Sequence, residues 1–335
     1  MSDEGVVNVT DVDELLSLPK ELKTLICALN RLSQLPMLPD TLTSLICNYN
    51  QITRLPILPL SLQTLNCAFN QITELPQILP PELKVIICCS NPLIELPSTF
   101  PDSLVKLNCS DCKLTRLPHL PDNLTVLICI NNDLDVLPQL PMHLLVLECG
   151  TNKLTSLPEL PLHLTDLDCT ENLVESFDEL PDSLIKLHCH SNKLKSLPKI
   201  LPSRLDELDC GQNQLIALPE LPESLKYLYC MHNNISQLPK IPDSLVTLEC
   251  DDRLLNICEI KDITDDEQQI ISESVNCPIC SQSYQSDQRW SQLICKHIFH
   301  RECVQEWLAV QASCPLCRAD IPKIKLSVGL KCSRL

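Results

Sequence analysis

One motif recurs twelve times at a spacing of 20 or 21 residues, starting at Leu22, Leu42, Leu62, Leu83, Leu104, Leu124, Leu144, Leu164, Leu184, Leu205, Leu225 and Leu245. Each copy reads L-x-x-L-x-C-x-x-N-x-L-x-x-L-P-x-L-P with small variations. Leu22, Leu25, Cys27, Asn30, Leu32, Leu35, Pro36, Leu38 and Pro39 show it complete. A unit this short cannot enclose a core of its own, so neighbouring copies must stack and share one. Leu25 and Cys27 alternate with the period of a strand, which turns both inward. One strand per copy predicts a parallel sheet along one side of the stack. The chain holds 27 prolines, and those in the return segments exclude a regular helix on the opposite side. The fold expected over residues 22–258 is a β-rich solenoid, an arc with a parallel concave sheet and extended convex segments.

This pattern resembles the leucine-rich repeat. Its short length and doubled Leu-Pro are similar to the leucine-rich repeat effectors of pathogenic bacteria, some of which are ubiquitin ligases. The resemblance implies an inward-turned Asn ladder at Asn30, Asn50, Asn70, Asn91, Asn132, Asn152, Asn172, Asn192, Asn213 and Asn233. Cys112 replaces Asn in the fifth copy, and Arg253 replaces it in the twelfth, where the solenoid is expected to end. Residues 1–21 read as an N-terminal cap, with Val12, Leu15 and Leu16 on the apolar face of a short helix starting near Thr10.

Of 22 cysteines, twelve occupy the repeat position, from Cys27 and Cys47 through to Cys250. They read as a column of buried thiols acting as small hydrophobes. A disulfide scaffold suits short secreted chains, and Met1-Ser2-Asp3-Glu4 lacks the basic and apolar segments of a secretory signal. A reducing cytosol is therefore expected, the host's cytosol if the chain comes from a pathogen or virus. Ser333-Arg334-Leu335 is close to the peroxisomal address Ser-Lys-Leu, against which stands an ordinary frayed terminus.

Six further cysteines cluster near the C-terminus in the pattern Cys277-x2-Cys280-x14-Cys295-x-His297-x2-His300-x2-Cys303-x10-Cys314-x2-Cys317. Eight thiol and imidazole ligands can close two tetrahedral zinc sites with no open position for a substrate. The segment is too short for a core of its own, so metal must hold it. A two-Cys, two-His finger fails, because His297 and His300 are separated by two residues and four ligands would be idle. Residues 301–312 have good helix formers and no Gly or Pro, with Val304, Trp307 and Leu308 on one face.

The ligand order, with His at positions four and five, resembles a RING finger of the H2 type over 276–320, a small zinc-bound α+β module. Cys-Pro-Ile-Cys at 277–280, Phe299, Trp307-Leu308 and Cys-Pro-Leu-Cys-Arg at 314–318 extend the likeness. The resemblance implies interleaved ligation: Cys277, Cys280, His300 and Cys303 on one Zn2+, Cys295, His297, Cys314 and Cys317 on the other. It also implies a RING-type E3 ubiquitin ligase without a covalent intermediate. Ile279, Trp307 and Pro315 would receive a ubiquitin-loaded conjugating enzyme, and Arg318 would pin the ubiquitin. The alternative is a non-catalytic adaptor with a structural RING. Residues 259–275, with six carboxylates, read as a solvated acidic linker, and 321–335 as a tail.

Acidic residues outnumber Lys and Arg by 43 to 26, so nucleic acid is an unfavourable partner. No apolar run reaches the roughly 18 residues a membrane-spanning helix needs. Strand positions alternating with Leu and Cys face the concave side. Early ones are apolar, with Ile26, Ile46, Ile87 and Ile128 near Leu29, Tyr49 and Phe69. Later ones turn acidic, with Glu148, Asp166, Asp168, Glu207, Asp209 and Glu249, interrupted by Tyr227, Tyr229 and Met231. Aromatic and apolar anchors are typical of interfaces. The face is expected to bind a target protein, with Ile26, Ile46, Tyr227, Tyr229 and Met231 as contacts.

Overall fold

The structure is a computed structural model describing residues 6–8, 18–251, 260–262, 277–281, 290–293, 297–310, 314–316 and 325–326. The chain divides into two compact units, 1–194 and 195–335. The first holds β1 (Val6–Asn8), β2 (Thr24–Ile26), β3 (Ser44–Ile46), β4 (Thr64–Asn66), β5 (Val85–Ile87), β6 (Lys106–Asn108), β7 (Val126–Ile128), β8 (Val146–Glu148), β9 (Asp166–Asp168) and β10 (Lys186–His188). The second holds β11 (Glu207–Asp209), β12 (Tyr227–Tyr229), β13 (Thr247–Glu249), β14 (Ile260–Asp262), β15 (Trp290–Leu293), β16 (Ile298–His300), α1 (Arg301–Val310) and β17 (Lys325–Leu326). Each unit carries coils of a parallel β-solenoid, and the second adds the cysteine- and histidine-rich module.

Register follows the repeat. Leu25 pairs with Leu45, and Leu45 with Leu65, so equivalent residues stack coil on coil. Leu25, Cys27, Leu45, Cys47, Leu65 and Cys67 are fully buried, while the flanking strand positions are half-exposed. The turn that re-enters each strand is closed by a backbone bond from a Leu N–H to the proline carbonyl three residues earlier, as in Leu42 to Pro39 at 3.0 Å and Leu184 to Pro181 at 3.0 Å. Proline suits that position because it lacks an N–H to satisfy and its carbonyl still accepts.

The ladder amides do what the motif implies. Asn172 Nδ2 donates to the carbonyls of Cys149, Cys169 and Thr170 at 3.0, 3.1 and 3.0 Å, and its Oδ1 accepts from Leu154 N–H at 2.9 Å. One buried side chain thus satisfies four backbone groups spread over two coils. A second ladder, of hydroxyls, lies at the turns. The single Ser61 hydroxyl proton is shared between the carbonyls of Asp40 and Leu42, each 2.7 Å from Oγ, and Thr41, Ser103 and Ser183 repeat this bifurcated contact.

Cys112 is a weak rung. Its Sγ reaches the carbonyls of Ser110 at 3.4 Å and Cys88 at 3.8 Å, where Asn132 in the next coil makes three bonds of 3.0–3.2 Å. Restoring the amide with Cys112→Asn should raise stability by about 1 kcal/mol in chemical denaturation, the net value of a buried hydrogen bond. An unchanged or lower midpoint would mean that this coil has adapted to sulfur.

The twelve column thiols are all buried and none forms a disulfide. Burial pushes Cys27 and Cys129 up to about 12, so little reactive thiolate exists at neutral pH. Native protein should label slowly at these positions with a thiol reagent, and denatured protein fast. Rapid labelling of most of the column in native protein would contradict its burial.

The ends of the array differ from the sequence reading. The expected helix near Thr10 lies outside the described residues, and ahead of it β1 pairs in parallel with β2, Val7 opposite Leu25. At the other end β17, within the segment read as a tail, pairs in parallel with β13, Leu248 opposite Leu326. An open sheet edge presents unpaired backbone groups, and a short added strand satisfies them. No helix among the described residues is long and apolar enough to cross a membrane.

Candidate metal centre

Cys277 and Cys280 sit on a tight turn, closed by Ser281 N–H to the Cys277 carbonyl at 2.7 Å. His300 ends β16, and Cys303 lies in the first turn of α1, so the strand-to-helix junction brings both to one place. Cys280 Sγ is 3.2 Å and Cys303 Sγ 4.0 Å from His300 Nδ1. The ligand atoms of Cys277, Cys280, His300 and Cys303 all lie within 4.8 Å of one another. A tetrahedral zinc with thiolate and imidazole ligands needs edges of about 3.6–3.8 Å, so the four residues fit that ion.

Electrostatics support the fit. Burial alone would raise the Cys277 thiol, but N–H groups of Cys280, His300 and Ile279 aimed at its sulfur bring it below the usual value. One of these bonds, from His300 N–H, measures 3.4 Å. Cys303 is pushed up to about 12 by burial, by its bond with Cys280 and by the charge of Cys277. Thiols this close cannot all ionise unless a cation sits among them.

A small core backs the ligands. Cys277, Trp290, Phe299, Val304 and Cys314 are fully buried together, with Ile279, Ile298 and Cys303 packed around them. Trp290 lies opposite His300 in the β15–β16 pair and meets the imidazole edge-on, ring centres 4.2 Å apart at 62°. Sequence reasoning missed Trp290. Its one available signal was rarity, since the chain has two tryptophans. The segment read as a linker also contributes here, because β14 pairs antiparallel with β15, Ile260 opposite Leu293.

At the second expected site, His297 Nδ1 and Cys314 Sγ are 3.5 Å apart, close to one edge of such a tetrahedron. Their expected partners Cys295 and Cys317 lie outside the described residues, as does Arg318. Ile279 and Pro315 lie in the two ligand turns and Trp307 on α1, all three half-buried. The helix face is therefore divided, since Val304 is buried in the core and Trp307 keeps part of its surface exposed. Tyr227, Tyr229, Met231, Ile26 and Ile46 are likewise half-exposed, the tyrosines and isoleucines on the outer side of the strands.

Comparison with known proteins agrees with both parts. The Ring finger domain model matches residues 275–318. Over 56 residues the chain is 34% identical to the probable E3 ubiquitin-protein ligase RHC1A of Arabidopsis thaliana, covering 17% of each protein. Over 49 residues it is 39% identical to the E3 ubiquitin-protein ligase RNF181 of Xenopus tropicalis, covering 15% of this chain and 31% of that one. The chain thus spans less than a third of the length of these relatives. The repeats are similar to the structure of YopM from Yersinia enterocolitica, with a TM-score of 0.69 and 41% identity over 70% of this chain and 52% of that one. Coils stacked in register by Leu, Cys and Asn, followed by a thiol and imidazole cluster in RING order, make this chain a leucine-rich repeat protein with a C-terminal RING-H2 finger.

Proposed function

We propose that this protein is a RING-type E3 ubiquitin ligase whose repeats hold a target while the RING presents a ubiquitin-loaded conjugating enzyme. The observation that carries this reading is the closed Cys277, Cys280, His300 and Cys303 cluster, with half-exposed Ile279 on the turn between its first two ligands. A site with four protein ligands has no open position for substrate, so its metal is structural. The relatives named as E3 ubiquitin-protein ligases match this module. Two ions are expected, the second on Cys295, His297, Cys314 and Cys317.

The chain's own groups then work by position. Ile279, Trp307 and Pro315 supply an apolar contact for the conjugating enzyme, and Arg318 holds the ubiquitin so that a target lysine can reach the thioester. No nucleophile of this chain takes part. Autoubiquitination with a panel of conjugating enzymes tests the reading. Zinc-loaded protein should build ubiquitin conjugates, and chelator-treated protein should not. Absence of transfer with every enzyme tried would leave the RING as an adaptor.

A further inference from the structure

The residue just before the ladder position has a left-handed backbone, with φ of 63° at Leu29, 54° at Tyr49 and 53° at Phe69, then 54° at Ser90, 53° at Asp111 (ahead of Cys112), 53° at Asn131 and 50° at Glu171. Asn and Asp tolerate this conformation, whereas a bulky side chain there is strained. From the fourth coil of the first unit onward the position is small or polar. In the first three it is Leu, Tyr and Phe. These three are not buried for their size: Leu29 is 74% exposed, Tyr49 48% and Phe69 42%. The Tyr49 and Phe69 rings stack, centres 4.2 Å apart and 7° from parallel. Half-exposed Ile26 and Ile46 are register partners on the neighbouring strands. Strain and solvent exposure thus fall together on one apolar column.

Further along the same sheet the chemistry reverses. Glu148 on β8 lies opposite Asp168 on β9, with Asp166 two residues before it. Like charges directly across a sheet repel. Burial, then Asp168 and Asp166, raise the Glu148 carboxyl above its usual value, although Lys106 and His188 pull the other way. Phe69 follows β4, four strand spacings from β8, or about 19 Å. An extended chain covers that span in about six residues.

We propose that the sheet face of the first unit docks an extended segment of the target protein that carries an apolar cluster and, about six residues away, a group of Lys or Arg side chains. This rests on the reading of the repeats as the target-binding part. Leu29, Tyr49 and Phe69 take the apolar end, and Glu148, Asp166 and Asp168 take the basic end. An apolar occupant removes the exposed column from water, and a basic occupant offsets the repulsion of the facing carboxylates. The acidic end disfavours nucleic acid and anionic lipid, which leaves polypeptide as the partner.

Selection of a random dodecapeptide display library on the immobilised full-length protein tests this without ubiquitin transfer, so its outcome is independent of ligase activity. Enriched peptides should pair an apolar cluster with Lys or Arg five to seven residues away. The triple variant Leu29→Asn, Tyr49→Asn and Phe69→Asn should lose at least tenfold in affinity for them while keeping or raising its melting temperature, because Asn suits the left-handed backbone. Glu148→Gln with Asp168→Asn should lose the preference for basic residues alone. Peptides without the paired pattern, no enrichment, or binding unchanged in both variants would overturn the proposal. So would a clear fall in the melting temperature of the triple variant, which would make the column structural.

Discussion

His300→Ala should cost the protein one of its two expected zinc ions, and with it the order of the RING. The imidazole is the ligand that approaches both Cys280 and Cys303, at 3.2 and 4.0 Å, and its ring also seals the core against Trp290. Structural zinc supplies roughly 10–16 kcal/mol to small zinc domains. That exceeds what five buried core side chains in a short module can replace. Zinc content after dialysis should fall from two ions to one, the combined emission of Trp290 and Trp307 should shift to that of more exposed indoles, and ubiquitin transfer should cease. The solenoid transition should persist, because its ladders of Leu, Cys and Asn do not involve metal. Retention of both ions would show that Cys277, Cys280 and Cys303 suffice to hold the metal without His300.

Arg318→Ala should slow transfer strongly by a different route. Arg318 directly follows Cys317, the last ligand of the motif, and the arginine itself is no zinc ligand. Its planar donors suit bridging polar groups of two partners at once. The variant should keep both ions, its melting temperature and its affinity for the conjugating enzyme, since Ile279, Trp307 and Pro315 remain. Discharge of the ubiquitin thioester should slow by about tenfold or more, because the donor is no longer held for attack. Measuring zinc and discharge on the same sample separates the two variants. Full-rate discharge by Arg318→Ala protein would remove this residue from the mechanism.

The two variants address a module whose ligands are legible in sequence for a simple reason. A metal demands particular atoms at particular separations, and Cys-x2-Cys and His-x2-Cys spacings survive in the sequence as that demand. The packing behind the ligands leaves no such trace. Trp290 meets His300 across a two-strand pairing ten residues distant in the chain, and no spacing rule announces it. Trp307 and Val304 share a helical face by periodicity, yet the core accepts Val304 fully and Trp307 only in part.

For the solenoid, sequence alone determined the coil, the register and the inward Leu, Cys and Asn columns, because a strict repeat imposes the same local solution at each turn and identical coils stack only in register. Tertiary structure decided the rest. Whether β1, β14 and β17 form depends on which sheet edge each three- or two-residue segment meets, and segments so short have no period to read. The hydroxyl ladder depends on a carbonyl of the preceding coil. The left-handed column under Leu29, Tyr49 and Phe69 is likewise a property of stacked turns, since an isolated chain would avoid that backbone at bulky residues. Local pattern is enough where the interaction partner is the next identical coil, and it fails where the partner is a unique segment brought near only by folding.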